Sequence, residues 1–472
     1  MLLTIEKLIY GGDGLAHLPP DLHSPGLHGD VPGKDRSRGK AVFIPFVLPE
    51  EQAEATLTEQ KPGFARARLD AIVQPSPDRI VPACPYFSRC GGCHYQHITY
   101  ERQLEIKKQI LRENLKRIAR LDLQIEIEAH PSPPWNYRNR SRLQLRTRPD
   151  FAAGYFRFAS HELLPVEECP ISSPLINRGI AALWQSGRTG KVPEGVQEVS
   201  FFANAEDTQL LLELSCRPGA DPQATEAWAE DLRASLPAIA GIVAIRESGN
   251  ETRESLVTVG APELTYRTRT ANFRVSVGSF FQTNRFLIDD LLEIVTRGRS
   301  GKLVLDLFAG VGLFSTALAC NFRHVVSVES SQTAAKDLKY NLPTNGKAVR
   351  SATGQYLAEV AATARAAADG SSAKSHGERN KGRVGKGKLP QNYLDTPDLI
   401  VVDPPRSGLG DRVARALTEA YAPRITYVSC DPATLARDLL PLQAAGYRIE
   451  EVHLVDLFPQ TYHLESVVHL AR

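Results

Sequence analysis

Leu303-Val304-Leu305-Asp306-Leu307-Phe308-Ala309-Gly310-Val311-Gly312-Leu313-Phe314 runs from an apolar strand through a glycine turn into the start of a helix. Glycines at such a turn allow a tight bend and let a ligand approach the backbone closely. The spacing is Gly-x-Gly without the third glycine of a dinucleotide fingerprint, which alone is a weak signal. An acidic residue, Glu329, ends the next apolar run, 17 residues past Gly312. A carboxylate there can accept both ribose hydroxyls of an adenosine-type ligand. The bland alternative is an ordinary strand-to-helix turn beside an exposed glutamate.

Outward from this stretch the pattern repeats. Residues 324–328, 399–402 and 425–428 are short apolar runs with helical stretches between them. That alternation predicts an α/β fold with a doubly wound parallel sheet. The last run opens Ser429-Cys430-Asp431-Pro432-Ala433-Thr434-Leu435-Ala436-Arg437-Asp438. The Cys430 thiol therefore sits at the C-terminal end of a strand, where open α/β sheets carry their chemistry. It is a nucleophile if its surroundings ionise it, and otherwise a small buried residue. Asp403-Pro404-Pro405-Arg406-Ser407-Gly408 follows the 399–402 run. Its proline pair either fixes the backbone beside a ligand or simply stops the strand.

The chain has 472 residues, room for about three domains. A net charge of +2 does not announce nucleic-acid binding, so local clusters must carry that argument. No run of 18 apolar residues exists, so no transmembrane helix is expected. The start, Met1-Leu2-Leu3-Thr4-Ile5-Glu6-Lys7, reads as a strand rather than a signal peptide, and a cytoplasmic location is expected. Residues 1–75 show short strands between turns, including Gly11-Gly12-Asp13-Gly14, and predict a small β-barrel interrupted by a Pro/Gly/His-rich loop at 19–39.

Residues 76–265 read as a central α+β domain and 266–472 as the α/β domain. A helix is expected from about 100 to 120, with Leu104, Ile110, Leu111, Leu115 and Ile118 as its apolar stripe and Lys107, Lys108, Arg112, Lys116 and Arg117 on the remaining surface. Arg138, Arg140, Arg142, Arg146 and Arg148 all fall on even positions, so one strand would present five guanidiniums on one face, with Leu143 and Leu145 opposite. That is a candidate phosphate-binding surface, or else a solvated sheet face. Residues 361–390 are Ala-rich, then Gly/Ser/Lys/Arg-rich, and are expected to be a disordered insertion.

Seven cysteines, an odd number, argue against a disulfide framework. Cys84, Cys90 and Cys93 cluster, and Cys169 follows 76 residues later. Four thiolates suit an iron–sulfur cluster or zinc, and spacing alone does not choose. His94 and His97 are expected bystanders, and Cys216 and Cys320 buried small residues.

Phe280-Phe281-Gln282-Thr283-Asn284, residues 306–312, 403–408 and 429–438, and Asp456-Leu457-Phe458-Pro459-Gln460-Thr461-Tyr462-His463-Leu464-Glu465-Ser466 occur in that order. Over nearly the whole chain this series resembles the RNA uracil-C5 methyltransferase family, which uses S-adenosylmethionine. The resemblance implies a class I, Rossmann-like methyltransferase domain, and an N-terminal barrel similar to the TRAM (OB-like) RNA-binding module. It implies that Gln282, Phe308, Glu329 and Asp403 contact S-adenosylmethionine, that Cys430 is the nucleophile and that Glu465 is the base. It also implies a 4Fe–4S cluster on Cys84, Cys90, Cys93 and Cys169, with zinc as the alternative. Two positions depart from the family pattern. Leu313 replaces a polar residue that some members carry, and Asp431 stands where many have Asn, a carboxylate that would raise a neighbouring thiol's pKa unless it points away.

The implied substrate is 23S ribosomal RNA. The T-loop uridine of tRNA is the first alternative, and a non-catalytic RNA-binding protein the second. A cytosine-C5 enzyme is disfavoured because no cysteine lies near Asp403-Pro404-Pro405. A monomer is the default state.

Overall fold

The computed structural model describes residues 1–19, 39–248, 252–368 and 396–472. Residues 20–38 of the expected 19–39 loop lie outside the described residues. At the N-terminus a 6-stranded sheet runs in the order Leu2–Thr4, Gln52–Gln60, Phe64–Gln74, Ala41–Pro45, Asp13–His17, Lys7–Leu8. Its first and last strands are consecutive in the chain, so the sheet curls back on itself like a barrel. Alternate side chains such as Val42, Ile44, Ala53 and Ala65 point inward and form its core.

A 7-stranded sheet follows, and its strand Arg140–Arg146 has Leu143 fully buried and Arg142 exposed, as period-2 alternation predicts. The strand ends at Arg146, so Arg138 and Arg148 flank it rather than continue it. Helices Pro174–Arg188 and Pro222–Ser235 cover one face, with Trp184 and Trp228 in the shared core.

The third unit is an 8-stranded sheet in the order Gly346–Arg350, Phe322–Glu329, Gly301–Leu307, Leu399–Val402, Arg424–Ser429, Glu465–Ala471, Arg448–Val455, Ile127–His130. The first five strands are parallel, and Glu465–Ala471 is antiparallel to both its neighbours. Apolar clusters line both faces of this sheet, as a doubly wound architecture requires. Its outermost strand, Ile127–His130, comes from the segment just before the 7-stranded sheet.

Four expectations are corrected. The helix spans Tyr100–Arg117, and its buried face is Gln103, Ile106, Lys107, Ile110, Leu111 and Leu115, whereas Ile118 is exposed. Lys107, expected at the surface, is fully buried, because the carboxylate of Asp456 sits 2.6 Å from its Nζ. Cys320 is exposed, because it lies in the turn after helix Leu313–Leu318 rather than inside it. Residues 361–368 of the expected insertion continue helix Thr353–Ala368; residues 369–390 lie outside the described residues.

The Lys107–Asp456 pair is the centre of a dense polar contact. Lys107 also donates to the Phe458 carbonyl (2.9 Å), and the Tyr100 hydroxyl donates to the other Asp456 oxygen (2.9 Å). Gln103 donates to the Gln460 side chain and accepts from the Gln460 N–H. Breaking a buried pair strands one uncompensated charge, at a cost of about 3–5 kcal/mol. Lys107→Ala should therefore loosen helix Tyr100–Arg117 and the 456–463 segment together. Hydrogen exchange read by mass spectrometry should show at least about a hundredfold loss of protection there, by the same energy. A change under about tenfold would mean the pair does not hold this contact.

Candidate active site

Four strand ends converge. Gly301–Leu307 feeds a turn in which Phe308 (φ 63), Gly310 (φ 56) and Gly312 (φ 95) are left-handed, and Gly312 caps helix Leu313–Leu318. Phe308 holds this conformation without being glycine, a strained geometry of the kind found at functional turns. Glu329 ends the neighbouring strand Phe322–Glu329; its Oε2 accepts from the Gly310 N–H (2.9 Å) and its Oε1 from the Ser331 N–H (2.6 Å). Asp403 follows Leu399–Val402 and accepts from Gln282 Nε2 at 3.2 Å. Burial pushes Asp403 up to about 7, helped by nearby Asp306, which burial likewise raises to about 7 against a hydrogen bond from Ser315.

Gln282, Phe308 and Asp403 line one small cavity of about 30 Å³, together with Phe280, Gly310 and Leu313. Glu329 does not line it but holds its glycine rim through Gly310. Leu313 adds an apolar wall where a polar contact is possible in principle.

Cys430 directly follows strand Arg424–Ser429, and Glu465 begins strand Glu465–Ala471. The two strands are antiparallel neighbours with Ser429 opposite Ser466, so the register itself brings thiol and carboxyl to the same sheet end. Glu465 is buried, and burial together with the Asp403 charge raises its pKa well above the usual value, opposed by Arg406. Cys430 is pushed up to about 12, first by burial, then by Glu465 and Asp403, with the Arg406 guanidinium opposing. Asp431 is the weakest of these influences. Its Oδ1 instead accepts from the N–H groups of Ala433 (3.0 Å) and Thr434 (2.9 Å), capping helix Pro432–Ala444. The helix start meets the carboxylate that replaces the family's Asn.

Three residues at this site were not assigned from the sequence. Arg406 stands in a quoted motif but had no role; it lies close enough to oppose both raised pKa values. Asp438 accepts from the Leu409 N–H (2.6 Å) and the Tyr427 hydroxyl (2.8 Å), fixing the loop that carries Arg406. Tyr10, from the N-terminal barrel, donates to the Cys430 carbonyl at 3.1 Å across 420 residues of chain. No local pattern signals such a contact.

Cys84, Cys90, Cys93 and Cys169 all line one cavity of about 70 Å³, with Arg138 and Tyr155 beside them. Burial raises the thiol pKa of Cys84, of Cys90 (to about 11) and of Cys93 (to about 12). His94 packs on Tyr462 and His97 on Phe87; neither lines this cavity.

Arg138 also lines a second, open cleft of about 490 Å³ with Arg140, Arg142, Phe202 and Phe280. The Arg140 guanidinium lies 4.2 Å from the Phe202 ring centre, and burial lowers its pKa to about 10. Phe280 is 62% exposed and lines both this cleft and the small cavity. Arg146 and Arg148 do not line the cleft; Arg148 instead pairs with Glu194. The five-arginine face is thus reduced to three residues, because Arg146 donates to the Asp150 carbonyl in the turn that follows and Arg148 pairs with Glu194.

A model of the tRNA (uracil-5-)-methyltransferase family matches residues 99–472. An uncharacterized RNA methyltransferase of Aquifex aeolicus is 32% identical over 474 residues, covering 99% of this chain and 97% of the relative. One of Streptomyces coelicolor is 31% identical, covering 92% and 88%. Among solved structures, a Pyrococcus abyssi tRNA (uracil-54, C5)-methyltransferase in complex with S-adenosyl-L-homocysteine superposes with a TM-score of 0.69 at 22% identity, covering 100% of both chains. That likeness supports the class I fold with its curled N-terminal sheet.

The charge balance around Cys430 yields a measurable pH dependence. A thiol pushed up to about 12 holds little thiolate at neutral pH, and only the thiolate reacts with alkylating agents. In the chain without RNA, iodoacetamide modification of Cys430, followed by peptide mapping, should therefore rise roughly tenfold per pH unit from about pH 7 to 9. A plateau below pH 9 would mean that a cation outweighs burial and the neighbouring carboxylates.

Proposed function

The chain belongs to the tRNA (uracil-5-)-methyltransferase family and is an S-adenosylmethionine-dependent RNA methyltransferase, and we propose that it methylates C5 of a specific uridine in 23S ribosomal RNA through a covalent bond between Cys430 and C6. The observation that carries this reading is the register that sets Cys430 and Glu465 on adjacent strand ends, beside Asp403 and Arg406.

C5 of uracil is a poor nucleophile. Addition of a thiolate at C6 moves an electron pair toward C5 and the C4 carbonyl. S-adenosylmethionine supplies the methyl as an electrophile, and Gln282, Phe308, Glu329 and Asp403 are the residues proposed to hold it. Arg406 favours the charged form of the Cys430 sulfur as the base is engaged. Glu465 then takes the C5 proton, which lets the C6–S bond break and the thiol leave. Its raised pKa makes its carboxylate a stronger base than an exposed glutamate. The target uridine must leave any stack to reach a half-buried thiol.

The cleft is the proposed RNA surface: Arg138, Arg140 and Arg142 offer charge, and the exposed Phe280 ring offers a stacking face beside Gln282. The barrel of residues 1–75 is read as an RNA-binding module that reaches the catalytic loop through Tyr10, residues 76–265 as the cysteine-bearing central domain and 266–472 as the catalytic domain. Cys84, Cys90, Cys93 and Cys169 are proposed to hold a 4Fe–4S cluster. Four-thiolate chemistry fits it, and all four cysteines line one cavity; zinc is the alternative occupant. The cluster would be structural, since the reaction needs no electron. Ribosomal RNA is preferred because barrel, cysteine set and catalytic set together resemble the ribosomal-RNA subset.

The test is methyl transfer from labelled S-adenosylmethionine to unmodified 23S RNA and tRNA in parallel, with the product nucleoside identified. Expected is 5-methyluridine in 23S RNA; label only in tRNA would replace the substrate and keep the chemistry. Cys430→Ala should lose at least about 10³-fold in rate while retaining RNA binding, and Glu465→Gln should accumulate a denaturant-resistant RNA adduct. Persisting activity in Cys430→Ala would refute the covalent route. In the same assay Arg140→Gln with Arg142→Gln should raise KM for RNA and flatten its salt dependence.

Purified without oxygen, the chain should contain about four irons and four acid-labile sulfides, the cluster's own stoichiometry. A colourless chain with one zinc per molecule would refute that assignment.

A further inference from the structure

The strand that extends the methyltransferase sheet at its edge brings together side chains that the proposed reaction does not use. Ile127–His130 runs parallel to Arg448–Val455, with Glu128 opposite His453 and His130 opposite Val455. Alternation puts Glu128, His130, Glu451 and His453 on one sheet face. His130 Nε2 and His453 Nδ1 lie 3.1 Å apart. Glu128 Oε2 is 3.4 Å from His453 Nδ1, and its Oε1 is 3.8 Å from His130 Nε2.

We infer that Glu128, His130 and His453 form a site for a divalent first-row transition ion of the zinc class. Two histidine nitrogens bound at about 2.0–2.1 Å to one tetrahedral ion stand roughly 3.3 Å apart, and a carboxylate oxygen takes a similar separation from each. The two nitrogens stand 3.1 Å apart, one Glu128 oxygen lies 3.4 Å from His453 Nδ1 and the other 3.8 Å from His130 Nε2, so one donor atom from each residue can face a common centre. Nitrogen and oxygen donors of this kind suit zinc, cobalt and nickel.

A second observation points the same way. The other ring nitrogen of His453, Nε2, lies 3.2 Å from Glu451 Oε2, and Glu451 Oε1 lies 3.8 Å from Arg299. Metal-binding histidines usually donate their second N–H to a carboxylate, which turns the free lone pair toward the ion. Here that arrangement aims His453 Nδ1 at Glu128 and His130. His469 is also within reach of Glu451 and His453, but both its nitrogens are engaged, with Thr426 Oγ1 at 2.9 Å and the Ile294 carbonyl at 3.1 Å. It belongs to the sheet-to-helix packing and is not a ligand.

His453 is buried, while the Glu128 side chain is 61% exposed, so the site opens to solvent on one side and leaves room for a water ligand. The ion would tie Ile127–His130 to the strand whose Val455 faces Glu465. Its role would be to hold the sheet edge, beside the chemistry rather than in it.

The test titrates Co²⁺ into the full chain, purified anaerobically and stripped of loosely held metal, and follows visible absorbance. Expected is one equivalent bound with ligand-field bands but no thiolate charge-transfer band, read as the difference from the same chain before Co²⁺ is added. His130→Ala should abolish this binding, and Glu128→Gln, at an exposed position that does not threaten folding, should weaken it. Glu451→Gln should weaken it about 10–100-fold, as loss of an orienting carboxylate does. Hydrogen exchange at residues 127–130 should slow when Zn²⁺ is added. Binding that survives both His130→Ala and Glu128→Gln, or a spectrum carrying the thiolate band, would overturn the inference.

Discussion

A single buried ion pair organises the catalytic half of this molecule. Lys107 and Asp456 are both fully inaccessible and 2.6 Å apart, and each is also hydrogen-bonded to a further partner. Burial lowers the Lys107 pKa and the Asp456 charge opposes that fall, which is why neither partner is tolerable there without the other. The pair sits where helix Tyr100–Arg117 meets the 456–463 segment, the stretch that leads directly into Glu465. Tyr137, Asn284 and Gln103 add hydrogen bonds to the same segment from three different parts of the chain. Position of the proposed base is therefore set by long-range polar contacts as well as by the sheet.

Burial also sets the protonation of the site. Asp306, Asp403, Glu465 and Cys430 are crowded at one sheet end, and desolvation is the largest influence on each. Like charges add to it, so the resting site prefers few negative charges. Arg406 is the cation that opposes this for both Cys430 and Glu465, and Asp438 fixes the loop on which it stands. Asp431, the apparent threat to the thiol, spends its charge on the start of helix Pro432–Ala444. Burial and the neighbouring carboxylates thus favour the protonated thiol over the thiolate.

The two other units meet this centre at defined points. The barrel reaches it through Tyr10, whose hydroxyl donates to the Cys430 carbonyl. The 7-stranded sheet reaches it through the cleft, whose lining residue Phe280 also lines the small cavity beside Asp403. Arg138 is shared in turn between the cleft and the cysteine cavity, so one side chain faces both the candidate RNA surface and the cysteine set.

The sequence by itself determined the local grammar. Strand Leu399–Val402 has the bounds its apolar run predicted, and the glycine turn after Gly301–Leu307 and the turn at Cys430 are where their residues implied. The alternation around Leu143 and Arg142 was likewise legible, since a period of 2 is a property of neighbouring residues alone. Tertiary structure decided everything that depends on a distant partner. Helix periodicity finds an apolar stripe but not the carboxylate that draws Lys107 inward, and it missed the turn that leaves Cys320 in solvent. His130 and His453 are 323 residues apart, and Tyr10 and Cys430 are 420 apart. Only strand register and domain docking bring such groups together, because spacing along the chain encodes which face a side chain takes but not what that face will meet.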